Sequence, residues 1–348
     1  MKENKKEKSK NAIGINIIKL VSFGLVFVML LEILSATVFS KSNATTFKNN
    51  FMNAYNYVNE VEDSIDIVAL GNSNMYSALC PLKLWDEQGF TSTIIASPRQ
   101  TAAITSTLLE DVLKTQSPKL VILEADMFYE GVELNENIVD ESSSKKRLPV
   151  IPYITDDKIT TDIQNRLTVF LLHDQWKNMI ANPANIGDDA MFNHGYFFND
   201  EIKETSPNSN MDYTQQVELL PDEAVLYMNK IIDICSKENI KLMLINSPSL
   251  STWTYARHNA VEQFAKENGI SYLDFNTLDD YEIEYDREFR DKGMHVNYYG
   301  SSKITAYVGR YIAENNQGLL EDKRENADFS AWNDDRDRFI EYYRIENF

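Results

Sequence analysis

The sequence predicts a three-layer α/β/α domain around a five-stranded parallel sheet, preceded by one transmembrane helix. Three observations carry this reading. Five short apolar runs are separated by amphipathic stretches with helical spacing. The runs are continuously apolar rather than alternating, which is the pattern of strands covered on both faces. A separate apolar stretch, residues 12–39, stands near the amino end and is longer than the roughly 20 residues that span a bilayer.

The amino end begins "MKENKKEKSK", five lysines against two glutamates. Residues 1–11 therefore read as a basic tail on the cytoplasmic side, with the bulk of the chain outside the cell membrane. Within residues 12–39 the charged positions Lys19 and Glu32 lie near the ends, from where long side chains reach the headgroups. A cleaved signal peptide is the rival reading, but no clean A-x-A site follows and the stretch is long for a signal. Residues 40–63 read as a polar stalk, 64–318 as the α/β domain and 319–348 as a C-terminal helical tail.

Within the domain, "SIDIVAL" (64–70) reads as the first strand and "PLKLWDEQ" (81–88) as a helix with Pro81 in its first turn. "STIIAS" (92–97) and "KLVILEA" (119–125) are the second and third strands. Between them, 101–114 places Ile104, Leu108 and Val112 on one helical face. After an insertion, 126–221, the helix 222–235 carries Val225, Met228, Ile232 and Cys235 on one stripe. "IKLMLIN" (240–246) and "ISYLDF" (270–275) are the last strands, with a helix over 255–268 between them. A helix over 301–313 follows, capped by Asn297 or Ser301. The insertion reads as a lid or substrate surface, or as a structural cap.

The 348 residues suffice for one large domain or two modest ones. A net charge of −19 excludes a nucleic-acid-binding surface, which needs clustered Lys and Arg. Two cysteines far apart, Cys80 and Cys235, give neither a disulfide framework nor a thiolate metal site. No two of the four histidines have metal-ligand spacing, so neither a metal nor another cofactor is implied.

In a parallel sheet the functional site forms at the carboxyl ends of the strands. There the first strand runs into "ALGNSNMYSAL", with Ser73 just past its end. A serine hydroxyl needs a neighbouring base, usually histidine, which needs an orienting carboxylate. His258 falls on the apolar side of its helix and reads as a packed residue. His173 and His194 lie in the insertion, in surface or structural positions or on a lid. His295 stands in the polar loop "FRDKGMHVNYYG" before the last helix, with Asp291 four residues earlier.

"LGNSNM" and "DKGMHVNYYG" resemble the first and last blocks of the SGNH/GDSL hydrolase superfamily, whose fold is flavodoxin-like. The resemblance covers roughly residues 64–315. It is closest to the membrane-anchored bacterial branch that includes the D-alanine transfer protein of teichoic acids and the alginate O-acetylation proteins. It implies that Ser73 is the nucleophile, His295 the general base and Asp291 its orienter. It also implies an extracytoplasmic esterase or O-acyltransferase handling a small acyl group, acetyl by the family branch. The substrate or acceptor would be a cell-envelope polysaccharide or teichoic-acid-like polymer, with a membrane-bound O-acyltransferase as a partner. A non-catalytic accessory of such an acyltransferase is the alternative.

The sequence departs from the family in places. The acid–base spacing is Asp-x-x-x-His where the family has Asp-x-x-His. No Gly-x-Asn follows the third strand to furnish oxyanion donors. The candidates near the serine are Gly71, Asn72, Asn74 and Gln100, beside the Ser73 backbone N–H. Arg99 reads as a clamp for an anionic group or as the partner of a surface acid. Glu124 and Asp126 end the third strand and would face the pocket. Trp253, after the fourth strand, reads as a packing residue or a platform for a sugar. Lys145, Lys146 and Arg147 would offset repulsion from an anionic polymer.

Overall fold

In the computed structural model the described residues are 2–39, 54, 57, 60–130, 192–346 and 348. His173, the basic trio Lys145, Lys146 and Arg147, most of the stalk and the middle of the insertion lie outside them. The chain divides into two units. The first holds helix α1 (Lys2–Ala36), of which Gly14–Ala36 is long and apolar enough to cross a membrane, with a mean hydropathy of 2.4. Every described residue from 54 onward belongs to the second unit.

The second unit is built on a five-stranded parallel sheet in the order β2-β1-β3-β4-β5. The strands are β1 (Ile67–Gly71), β2 (Ser92–Ala96), β3 (Leu120–Glu124), β4 (Lys241–Asn246) and β5 (Ser271–Asp274). β1, β2 and β3 are buried along their whole length, as strands covered on both faces must be. Among the described residues its α-helices are α2 (Ser73–Ala78), α3 (Pro81–Gln88), α4 (Ala102–Val112), α5 (Asp222–Lys237), α6 (Tyr255–Asn268), α7 (Tyr298–Asn315) and α8 (Ser330–Tyr343). α3 packs on α7 and α8, and α4 on α5. The strand order reverses direction beside β1, because β2 lies on one side of it and β3 on the other. In open parallel sheets, sites form at such a switch point, here the carboxyl end of β1.

Local chemistry explains the element ends. Pro81 occupies the first turn of α3, where its missing N–H has no helical partner. Asn297, not Ser301, caps α7: its Oδ1 accepts from the N–H groups of Tyr299 and Gly300. Part of the stretch read as stalk is packed instead, since Tyr57 is buried and its hydroxyl donates to Asp111 Oδ2 at 2.5 Å. The C-terminal helix α8 docks on the domain through Trp332 against Trp85 and a buried Phe339. Both cysteines are buried, and desolvation pushes each thiol up to about 12, which leaves them inert.

His194 is a structural residue. It is buried, stacked on Trp332 at 3.9 Å, with Nδ1 2.8 Å from Glu60 and Nε2 3.4 Å from Asp335. Burial opposes its charge, but the two carboxylates outweigh that and lift it to about 9. The stabilisation it confers is full below its unfolded value of about 6.5 and is lost as pH rises through 9. Melting curves of His194→Gln should therefore differ most from wild type at pH 6 and converge with it above pH 9, as ordered by this linkage.

Candidate active site

Ser73 opens α2 immediately beyond β1. Asn72 caps that helix, its Oδ1 accepting from the Asn74 N–H at 3.0 Å. As the first helical residue, Ser73 has an N–H with no intrahelical acceptor. Gly71 has to be glycine here, because a Cβ would stand 2.5 Å from Glu124 Cβ. Its role is to let β1 and β3 approach closely at their carboxyl ends, and it offers no side-chain donor.

The fold brings Ser73, His295 and Asp291 together. Ser73 Oγ lies 2.7 Å from His295 Nε2, across 222 residues of sequence. His295 Nδ1 lies 2.5 Å from Asp291 Oδ2. Asp291 Oδ1 also accepts from the backbone N–H groups of His295 at 2.7 Å and Met294 at 3.1 Å. The extra residue in Asp-x-x-x-His is absorbed by a tight loop. Lys292 and Gly293 both take positive φ, 64° and 101°, and a Cβ on Gly293 would meet Leu250 Cδ1 at 2.6 Å. The turn thus lets one carboxylate hold both the ring and the backbone of His295.

Burial raises the Asp291 carboxyl, but the hydrogen bonds from His295 and the charges of His295 and Arg290 outweigh it. The net effect holds Asp291 below the usual carboxylate range. Its anion keeps the proton on Nδ1 and leaves Nε2 to receive one from Ser73.

The other candidates are placed differently. Asn72 Nδ2 lies 3.4 Å from Asp126 and 3.3 Å from Glu130, and Asn74 Nδ2 donates to Asp126 at 2.8 Å. Thr252 donates to the same Asp126 oxygen at 3.2 Å. Asp126 therefore braces the loops after β1 and β4 rather than facing open pocket. Burial raises its carboxyl, limited by the Asn72 and Thr252 hydrogen bonds and the charges of Arg257 and His295. Gln100 is wholly buried, with Nε2 donating to Ile95 O and Thr105 Oγ1, each at 3.1 Å. An oxyanion role for it is thereby corrected: the side chain ties the end of β2 to α4.

Glu124 is also fully buried, accepting from Ser247 N–H at 2.9 Å and Ser247 Oγ at 2.8 Å. It does not face a pocket. Trp253 is fully buried too, its Nε1 donating to Asp274 Oδ2 at 2.8 Å, so it is no sugar platform. The same Asp274 oxygen lies 2.8 Å from His258 Nδ1, which gives that histidine the packed role its helix face implies. Arg99 is exposed at a positive φ of 56°, with Nε 3.5 Å from Glu130. At that exposure the pair is weak and leaves the guanidinium open to solvent.

Two cavities of about 680 and 500 Å³ are lined by neither Ser73 nor His295. The larger lies along α3 and α7, the smaller beside His194 and Trp332, so the triad faces neither.

Gln100→Ala should lower the melting temperature, since a buried Ser97 hydroxyl and the Ile95 carbonyl lose partners at about 1–3 kcal/mol. The 2.7 Å contact between Ser73 Oγ and His295 Nε2 does not involve Gln100, so a structural role predicts loss of stability alone, measured as a fall in the denaturation midpoint.

No family model matches the chain, and no curated protein does. Among solved structures it is similar to a lipolytic protein of the G-D-S-L family from Desulfitobacterium hafniense, at 12% identity and a TM-score of 0.36. That overlap covers 70% of this chain and 97% of the other. An acylhydrolase from Bacteroides fragilis overlaps at 12% identity and 0.36, over 80% of this chain and 100% of the other. An acetyl xylan esterase from Butyrivibrio proteoclasticus overlaps at 10% identity and 0.30, over 74% and 65%. Likenesses at TM-scores of 0.30–0.36 carry no functional weight, and the chemistry of the site rests on its own geometry.

Proposed function

We propose that this chain is a serine enzyme of ester chemistry in the SGNH/GDSL superfamily, with Ser73 as nucleophile, His295 as base and Asp291 as its orienter. The observation that carries the proposal is the unbroken relay from Ser73 Oγ to His295 Nε2 at 2.7 Å and from Nδ1 to Asp291 at 2.5 Å.

In the reaction, Oγ bonds to the acyl carbon while its proton passes to Nε2. The tetrahedral intermediate collapses, the bond to the leaving alcohol breaks, and Nε2 returns the proton to that oxygen. The acyl-enzyme is then attacked by a second hydroxyl, whose proton goes to Nε2 and on to Ser73 Oγ as it leaves. Water as the second hydroxyl gives hydrolysis; a glycan or polyol hydroxyl gives transfer.

The proposal extends to place and substrate. α1 is the membrane anchor, with its lysine-rich end cytoplasmic and the second unit outside. The substrate is a small acyl ester, acetyl by family resemblance, on a cell-envelope polymer, and a membrane-bound O-acyltransferase is the partner. Exposed Arg99, in the loop after β2, is suited to an anionic group of that polymer.

The test is labelling by a fluorophosphonate probe together with acetate release from p-nitrophenyl acetate, for wild type and Ser73→Ala. Labelling and turnover lost in Ser73→Ala support the proposal. A burst of one acetyl equivalent without turnover assigns transfer to an absent acceptor. A folded wild type that neither labels nor turns over supports a non-catalytic accessory instead.

A further inference from the structure

We infer that Arg290 is a positioning residue of this site: its nearly buried guanidinium balances Asp291 and thereby sets how far into acid pH His295 can take the proton from Ser73. The inference rests on the serine reading above.

It starts from the hairpin that carries the base. Phe289 and Val296 pair as an antiparallel bridge, and the loop between them holds both Asp291 and His295. Arg290 stands just inside that bridge. Its backbone N–H donates to His295 O at 3.2 Å, so the two residues face each other across the hairpin. Its side chain folds along the same hairpin, with Nη1 3.5 Å from Val296 O and Nε 3.9 Å from Asp291 Oδ2. That Oδ2 is also the oxygen 2.5 Å from His295 Nδ1. One carboxylate oxygen is therefore shared between the imidazole ring and the guanidinium. The Phe197 ring seats the guanidinium, 5.0 Å from its centroid, and packs in turn on Tyr76 of α2 at 5.8 Å. The cation is thus held between the hairpin of the base and the helix of the nucleophile.

The Arg290 side chain is 11% exposed. A cation that deep is costly unless an anion faces it, and among the described residues Asp291 is the one carboxylate within 4 Å of it. The groups around His295 pull in two directions. Asp291 favours a second proton on the ring, and so does Asp126, whose buried carboxyl feels the charge of His295. Arg257 acts on Asp126 and offsets part of that pull. Tyr76 and Tyr196 face Arg290, and burial raises both phenols, so neither adds a charge. Lys292 is exposed, and water screens it. Arg290 is the cation that shares the relay's own carboxylate, and a guanidinium stays charged across the range of any assay. Without its charge, Asp291 would hold the imidazolium more tightly, and a proton would block Nε2 over more of the acid range.

The experiment uses the full chain in detergent micelles and follows the fluorophosphonate labelling rate from pH 5.5 to 8, with circular dichroism on the same samples. Arg290→Gln keeps a donor toward Val296 O and removes the charge; Arg290→Met is a second neutral variant that keeps the stem; Arg290→Lys keeps the charge and loses the fork. Removing a screened unit charge next to Asp291 predicts that the acid limb of the profile moves up by about one pH unit. The ratio of rates at pH 8 and pH 5.5 then rises about five- to tenfold in both neutral variants, and Arg290→Lys stays close to wild type, as the same Coulomb reasoning requires. Neutral variants whose profiles superimpose on wild type overturn the inference. An acid limb displaced as far in Arg290→Lys as in Arg290→Gln overturns it too, because charge is then not the cause. A loss equal at every pH, with a lowered melting temperature, marks a packing role and also overturns it. Labelling abolished by Ser73→Ala with any of those three results defeats this inference alone. A wild type that never labels defeats the serine reading and this inference with it.

Discussion

On the proposed serine chemistry, His295→Ala is expected to lower kcat for ester cleavage by roughly 10⁴–10⁶, and Asp291→Asn by roughly 10²–10⁴. The asymmetry follows from what each group does. His295 Nε2 is the sole described base within reach of Ser73 Oγ, at 2.7 Å, so its removal leaves the nucleophile with its proton. Asn at 291 keeps an acceptor for the backbone N–H groups of Met294 and His295, so the loop should persist. What it loses is the anion that keeps the proton on Nδ1 and balances the imidazolium formed during attack.

The pH dependence separates the two substitutions from simple unfolding. Asp291 is held below its ordinary value of about 3.9, so it is an anion at every pH where the enzyme would be assayed. Asp291→Asn should therefore lower the plateau of the rate profile across neutral pH, not only its acid side. The stability that Asp291 confers is present above its unfolded pKa and is lost as pH falls through the lower folded one. Stopped-flow or steady-state rates from pH 5 to 9, with circular dichroism on the same samples, would check both points. Equal rates for wild type and Asp291→Asn would remove Asp291 from the relay.

Glu124→Gln stabilises the domain at alkaline pH by several kcal/mol and leaves it nearly unchanged at pH 4. Burial pushes Glu124 up to about 8, against the Ser247 hydrogen bonds and with a further push from the charges of Asp126 and Asp274. The folded chain thus holds a proton that the unfolded chain releases from about pH 4.5. Stability from this group is complete below 4.5 and is lost as pH rises through 8. Each pKa unit is worth about 1.4 kcal/mol, which sets an upper limit near 5 kcal/mol over the window.

Gln suits the site without a charge: its carbonyl accepts from the Ser247 N–H and its amide donates to Ser247 Oγ, the two contacts Glu124 now makes. Because His194 also adds a slope between about 6.5 and 9, the quantity to follow is the difference between the two proteins at each pH. Denaturant melts of wild type and Glu124→Gln at pH 4, 6 and 8 should diverge steadily. Parallel melts across that range would show that Glu124 is ionised in the folded protein or that it opens to water.

Much of the fold was legible because it is written in local periodicity. All five strands lie where continuous apolar runs placed them, and the helices Pro81–Gln88 and Tyr255–Asn268 match their sequence-based spans. Ser73 and His295 were legible for a related reason. Strand ends and helix starts are set locally, and the parallel-sheet rule then puts both loops at one end of the sheet.

The supporting residues were not legible, because their roles depend on partners distant in sequence. Gln100 and Trp253 read as site residues by their place after a strand, yet each is turned into the core by an acceptor, Ile95 O in one case and Asp274 in the other. Asn72 and Asn74 read as donors to substrate, but a buried carboxylate 52 and 54 residues away claims both amides.

By itself, the sequence determined the sheet, its order of strands and helices, the apolar amino-terminal helix and the loops from which a serine and a histidine could meet. Tertiary structure alone decided which polar groups are free to act. A hydrogen bond is a short-range, saturable interaction, and a side chain whose donors are satisfied inside the fold is no longer available to a substrate.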